Sequence, residues 1–312
     1  MEPNGEFKLF CGSSNPKLGK DLCAALKVDQ GKIILKKFSN GETYVQFLEN
    51  VRAEDVFLLQ TAISPINDYL IELLIMIDAA KRSSAGRITV ITPNYFYARQ
   101  DRKTASREPI TAKLVANLIT AAGADRMVTM DLHSDQLQGF FDIPLDNLPA
   151  RQLFIKKAKE IGSNSVVVSP DAGSLKASTK IAEKLGLDLA IINKARREHN
   201  SAQALGIVGA SVLGKNCLIF DDIVDTAGSL CAAIELLKKE GALKVYAFVT
   251  HGILSGKAIE RISESSIEKL FVTDTLPMDE TSSKIEVISI SEYLAKAIHC
   301  IHYNESVSKL FE

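Results

Sequence analysis

An apolar strand that ends in two acids, followed by a short loop that opens a helix, stands at Asn216–Ser229. It reads NCLIFDDIVDTAGS and continues into LCAAIELLKKEG. The first N–H groups of a helix have no partner within it, and its dipole is positive there, so such a loop is a phosphate cradle. Thr226 and Ser229 add hydroxyl donors. Asp221 and Asp222 can accept hydrogen bonds from a vicinal diol, or bind Mg²⁺ carried by a diphosphate. The competing reading makes Asp225 a helix cap and the acid pair a solvated turn. The C-terminal edge of parallel strands is where α/β sheets bind ligands, which favours the functional reading.

Four further segments carry candidate chemistry. Arg99, Arg102, Lys103 and Arg107 put four cations within nine residues, either as a solvated basic loop or as a phosphate clamp. Tyr95, Phe96 and Tyr97 precede them and could flank an adenine. Lys194-Ala195-Arg196-Arg197 is a basic turn after the strand LDLAIIN, and Phe38–Glu42 (FSNGE) is a turn built on Asn-Gly. His133, with Asp131 and Asp135, follows the strand MVTMDL. A lone histidine is more often packed or exposed than a ligand. No CxxC, HExxH or His/Cys cluster argues for zinc.

Short apolar strands alternate with amphipathic helices along most of the chain, the pattern of a mainly parallel sheet covered on both faces, so the fold class is α/β. At 312 residues, and roughly 100–200 residues per domain, two domains are expected. The halves resemble each other: FKLFCGSSN, a helix and GKIILKKFSNGE parallel SVVVSPDAG, a helix and LDLAIINKARR. The boundary is placed at Asn147–Ala150, giving domains 1–149 and 150–312, with a helix from Ser291 closing the second. The first-half loop Gln60–Pro65, matching Asp221–Thr226, has no acid. One half is therefore expected to bind a sugar phosphate and the other to do something else.

Net charge is −1, from 37 basic and 38 acidic residues, so no global field attracts a polyanion and nucleic-acid binding is not expected. The most apolar helical stretch, Tyr69–Ala80, is too short to span a bilayer and contains Glu72 and Asp78. MEPNGEFK lacks the features of a signal peptide. Five scattered cysteines are expected to be reduced thiols. Together these suggest a cytoplasmic protein with no membrane association.

FDDIVDTAGS resembles the ribose-phosphate motif shared by type I phosphoribosyltransferases and ribose-phosphate diphosphokinases. FSNGE, QTAISPIND, ARQDRK, SREPITAKLVANL, MDLHSDQLQGFFDIPLDNL, SPDAG and THGILSG are similar to the diphosphokinases, in their phosphate-regulated, hexameric class. The resemblance implies two domains of type I phosphoribosyltransferase-like fold. It also implies transfer of the diphosphoryl group of MgATP to the anomeric hydroxyl of ribose 5-phosphate, with inorganic phosphate as activator.

By that resemblance Phe38, Asn40, Gly41, Glu42, Arg99 and Gln100 bind ATP, the hairpin segment reaching the active site of a neighbouring subunit in a homohexamer. Asp221, Asp222, Asp225, Thr226, Ala227, Gly228 and Ser229 bind ribose 5-phosphate, with Arg196. Lys194 and Arg196 are catalytic, and His133 and Asp171 contact magnesium. SPDAG departs from many relatives in being followed by Ser174-Leu175-Lys176. Two alternatives remain beside this one: a phosphoribosyltransferase, which leaves FSNGE and ARQDRK unexplained, and a non-catalytic regulatory subunit, which the presence of Lys194, Arg196, His133 and the acids disfavours.

Overall fold

Near-continuous apolar strands of five to nine residues, each bounded by turn residues, force a sheet buried on both faces. The computed structural model describes residues 5–195, 204–278 and 282–310, and they fall into two units. The first takes described residues of 5–149, 275–277 and 289–310; the second takes those of 150–274 and 278–288. Each is an α/β unit.

In the first unit the elements are β1 (Phe7–Cys11), α1 (Pro16–Leu26), β2 (Ile33–Lys37), β3 (Thr43–Phe47), β4 (Asp55–Leu59), α2 (Ile66–Arg82), β5 (Arg87–Thr92), α3 (Thr111–Ala122), β6 (Arg126–Met130) and β7 (Leu145–Leu148). The order β1-β4-β5-β6-β7 is parallel throughout, and β2–β3 is a separate antiparallel hairpin. All five residues of β4 are buried. Val56 and Leu58 share a core with Leu73, Met76 and Ile77 of α2 and with Val115 and Ile119 of α3. Asn15 caps α1 by accepting from the Leu18 N–H at 3.1 Å, with Pro16 opening the helix.

The second unit contains α4 (Arg151–Ile161), β8 (Ser165–Ser169), α5 (Leu175–Leu185), β9 (Asp188–Ala195), β10 (Ala204–Gly209), β11 (Asn216–Val224), α6 (Gly228–Lys239), β12 (Lys244–Gly252), α7 (Ala258–Glu264), β13 (Lys269–Thr273) and β14 (Ile285–Ile288). The order is β10-β9-β8-β11-β12-β13-β14, parallel except for β10 against β9. Phe220, Phe248 and Phe271 are in register on β11, β12 and β13. Their rings stack at 4.7 and 4.8 Å between centroids, so one aromatic row stiffens three adjacent strands.

The succession β1-β4-β5-β6-β7 recurs as β8-β11-β12-β13-β14, the topology that an internal duplication predicts. The copies differ in one respect: β9 and β10 join the main sheet, whereas β2 and β3 form their own. The short strands β3, β7 and β10 and the helix α7 were not expected from the sequence. The strand β7 (LDNL) has no apolar run; it pairs with β6, and Asp146 meets Arg126 at 2.5 Å.

The closing helix α8 (Ser291–His302) was expected to belong to the second half, but it counts with the first unit and packs on α1. The reason is a buried ionic hub. Asp55, wholly inaccessible, accepts from Arg87 Nε at 2.8 Å and Nη2 at 2.6 Å, and its Oδ2 lies 2.7 Å from His302 Nδ1. Arg87 also donates to the Ile301 carbonyl at 2.9 Å. No described helix is long and apolar enough to cross a membrane.

Because Asp55→Ala strips Arg87 and His302 of their shared buried partner, it is expected to destabilise the first unit by about 3–5 kcal/mol, whereas His302→Gln, which spares the Arg87 pair, destabilises it less. Urea unfolding of the three proteins checks the order.

Candidate active site

In the second unit β11 lies between β8 and β12, but its two neighbours differ in length. Pairing with β8 ends at Ile219↔Val168, while pairing with β12 continues to Val224↔Gly252. The acid pair therefore sits where one side of the strand has lost its partner. The chain after β8 turns there through Asp171, whose Oδ1 accepts from the Ser174 N–H at 3.0 Å and whose carbonyl accepts from the Ser169 hydroxyl at 2.7 Å. Asp222 donates its N–H to Asp221 Oδ1 at 3.0 Å.

Burial, then the neighbouring Asp222 and more weakly Asp171, push the Asp221 carboxyl up to about 8. Asp221, Asp222 and Asp171 bring three carboxyl groups to this corner, an environment that a polyol or a hard cation would relieve.

Beyond Val224 the chain forms the loop Asp225–Ala227 and enters α6. Ala227 has φ 60° and ψ 3°, a left-handed conformation that disfavours a non-glycine residue by about 1–2 kcal/mol. It makes no side-chain cap. Among the described residues, the N–H groups of Thr226, Ala227, Gly228 and Ser229 meet no acceptor. A Cβ placed on Gly228 would meet nothing nearer than Thr226 Oγ1 at 3.9 Å, so the loop is open to a ligand. The expected sugar-phosphate residues Asp221, Asp222 and Asp225–Ser229 thus lie at the C-terminal edge of one sheet, Asp171 with them.

The first unit divides its candidates between the segments that follow β5 and β6 and the separate β2–β3 hairpin. FSNGE is the turn of the β2–β3 hairpin: Phe38 N–H donates to the Glu42 carbonyl at 2.8 Å, Gly41 N–H to the Phe38 carbonyl at 2.9 Å, and Glu42 N–H to Asn40 Oδ1 at 3.2 Å. Gly41 has φ +92°, which explains the glycine. Phe38 is 49% exposed, edge-on to Tyr44, an aromatic held out of the core by its hairpin. Lys37 pairs with Asp68 at the start of α2.

Arg99 and Gln100 lie exposed on the segment after β5, and His133, also exposed, on the segment after the adjacent β6. The Ser134 hydroxyl joins the two segments by donating to Asp101 Oδ2 at 2.7 Å. Glu108 ties the basic loop to itself. Hydrogen bonds from the Thr104 hydroxyl and the N–H groups of Ala105 and Thr104 hold its carboxyl below the usual range. Tyr95 and Phe96 do not flank a ligand. Both are buried in the core, and the Tyr95 hydroxyl donates to the Ala112 carbonyl at 2.8 Å, so only Tyr97 of the three reaches the surface.

The backbone of Lys194 ends β9, opposite Leu205 of β10; its side chain, and Arg196 altogether, lie outside the described residues. No three His, Cys, Asp or Glu side chains among the described residues converge as a metal cage.

Residues 7–123 match the family model for the N-terminal domain of ribose phosphate pyrophosphokinase, and 201–312 match that of the phosphoribosyl synthetase-associated domain. Ribose-phosphate pyrophosphokinase of Caldanaerobacter subterraneus is 49% identical across 98% of both chains. This chain belongs to the ribose-phosphate pyrophosphokinase family of enzymes.

The pyrophosphokinase resemblance is not confined to one lineage: ribose-phosphate pyrophosphokinase 2 of Schizosaccharomyces pombe is 48% identical over 99% of this chain and 98% of its own. The fold agrees as well. The phosphoribosylpyrophosphate synthetase of Mycobacterium smegmatis superposes with a TM-score of 0.91 at 42% identity, covering 96% of this chain and 99% of that one. The sequence gives no sign of a role for Ser255 and Arg261, which contact the Asp225–Ala227 loop of this pyrophosphokinase chain. THGILSG was visible as a motif, but nothing in its residue types showed that it lies against Asp225.

The raised Asp221 carboxyl makes the folded chain hold a proton that the unfolded chain has released between about pH 4 and 8. Stability contributed by this group is therefore present at low pH and lost as pH rises through that window. Asp221→Asn removes the loss, so the thermal midpoint of the variant should gain on that of the unsubstituted protein from pH 5 to 8.

Proposed function

We propose that this enzyme transfers the β,γ-diphosphoryl group of MgATP to the anomeric hydroxyl of ribose 5-phosphate, releasing 5-phospho-α-D-ribose 1-diphosphate and AMP. The observation that carries the reading is the open amide loop at Thr226–Ser229, set directly after the acid pair Asp221 and Asp222. An anion and a diol on one small molecule are what that arrangement complements. In this reading the N–H groups of Thr226, Ala227, Gly228 and Ser229, with the hydroxyls of Thr226 and Ser229, hold the 5-phosphate. Asp221, Asp222 and Asp225 orient the ribose hydroxyls.

Attack at phosphorus needs an in-line approach and positive charge on the transferring oxygens, and little covalent help from the protein. Lys194 and Arg196 supply that charge, Arg196 also assisting with the ribose phosphate. Phe38 stacks on the adenine, Asn40, Gly41 and Glu42 meet its edge, and Arg99 and Gln100 hold the rest of ATP. An exposed Phe38 on a hairpin tip supports that role. It also supports an assembly, the homohexamer, in which the tip completes a neighbouring subunit's site.

The donor chemistry around Asp171 fits Mg²⁺: one carboxylate oxygen is taken by Ser174, and the raised Asp221 marks a shortage of positive charge. Asp171 would hold the ion, which when bound neutralises charge on the phosphoryl oxygens; His133 is a magnesium contact by the family resemblance alone. Inorganic phosphate acts as an activator, and the enzyme works in the cytoplasm.

Phosphorus NMR of the protein with Mg²⁺, inorganic phosphate, ATP and ribose 5-phosphate tests the reaction. AMP and a sugar-linked diphosphate are expected, and Lys194→Ala should slow their appearance by roughly 10²–10³-fold. Persistent ATP in every mixture would refute the reading and turn attention to a phosphoribosyltransferase.

A further inference from the structure

We infer that Arg261 and Ser255 are positioning residues for the phosphate loop, aiming its amide groups at the anion from behind. The inference rests on reading Asp225–Ser229 as the ribose 5-phosphate cradle. Four successive carbonyls, those of Val224 to Ala227, are all engaged by the protein. Val224 accepts from the N–H groups of Ile253 at 2.9 Å and Leu254 at 3.2 Å; Asp225 accepts from the Ser255 N–H at 3.1 Å. Thr226 accepts from Arg261 Nη1 at 2.7 Å, and Ala227 from the Cys231 N–H at 2.9 Å. The Ser255 hydroxyl donates in addition to Asp225 Oδ1.

In a planar trans peptide the carbonyl and the following N–H point in opposite directions. Tying the carbonyls of Asp225, Thr226 and Ala227 to the segment after β12, to α7 and to α6 therefore turns the N–H groups of Thr226, Ala227 and Gly228 the other way. Those are groups that meet no acceptor among the described residues. Arg261 holds the peptide whose rotation would release Ala227 from its left-handed conformation. No other donor to the Thr226 carbonyl is recorded among the described residues.

This is a charge-assisted bond on an exposed side chain, so its removal leaves the core intact while freeing one peptide of the cradle. A regular helix start needs no such support, because its own geometry orients its amides. The support is needed here because Thr226 and Ala227 precede the first helical residue, Gly228.

Steady-state kinetics and calorimetric titration with ribose 5-phosphate test the inference on the full-length enzyme. Arg261→Met should weaken ribose 5-phosphate by roughly tenfold or more, the scale of one lost charge-assisted hydrogen bond. The KM for ATP and the thermal midpoint should stay where they are. Arg261→Lys, which keeps a donor, should recover most of the loss, and Ser255→Ala should shift the same constant by less.

Ser229→Ala, a change in the cradle itself, separates the two levels. If it weakens ribose 5-phosphate and Arg261→Met does not, the positioning role is wrong. If neither has an effect, the cradle reading itself fails. An Arg261→Met protein that loses stability and both substrates equally would show a merely structural residue and overturn the inference.

Discussion

The unequal pairing of β11 is the constraint from which the second unit's chemistry follows. Parallel neighbours on both sides hold the strand through Ile219; beyond it only β12 continues. Backbone hydrogen bonding on one side keeps Asp221–Val224 extended, while the departure of β8 at Ser169 opens a space on the other. The loop that follows takes its direction from β12, whose C-terminal extension supplies the donors to the Val224 and Asp225 carbonyls.

Two carboxylates show how structural and functional acids differ in one chain. Asp55 is fully buried and surrounded by Arg87 and His302, so its charge is balanced within the fold, and it fastens the C-terminal helix. Asp221 lies beside two further acids, and burial and their charge push its carboxyl up to about 8. A buried charge without a partner is unfavourable unless something outside the chain completes it. The first arrangement is finished by folding, whereas the second leaves a carboxyl whose charged form folding disfavours.

Duplication leaves the two units with one topology and different loops. Where β11 leads into Asp221–Ser229, β4 leads into Gln60–Pro65 and α2. Pro65 has no N–H to offer, and Asp68 lies in the first turn of α2, where its charge repels an anion that the helix dipole would attract. The first unit instead projects a hairpin. Its β2 and β3 form a sheet of their own, whereas β9 and β10 extend the main sheet of the second unit, and that freedom exposes Phe38 at the hairpin tip.

Periodicity and residue type by themselves determined the α/β class, the central strands of both sheets, the duplication and the acid-and-glycine loop at Asp221–Ser229. These are local signals: continuous apolar runs are needed to fill a parallel sheet, and phosphate loops need small residues at a helix start. The tertiary structure decided what depends on partners distant in sequence. The strand β7 exists because β6 lies beside it, Tyr95 and Phe96 are core because α3 covers them, and α8 joins the first unit because Asp55 is 247 residues from His302 in sequence and 2.7 Å away in space. The role of Arg261 was equally hidden, since a hydrogen bond across 35 residues leaves no period or motif that a linear reading can detect.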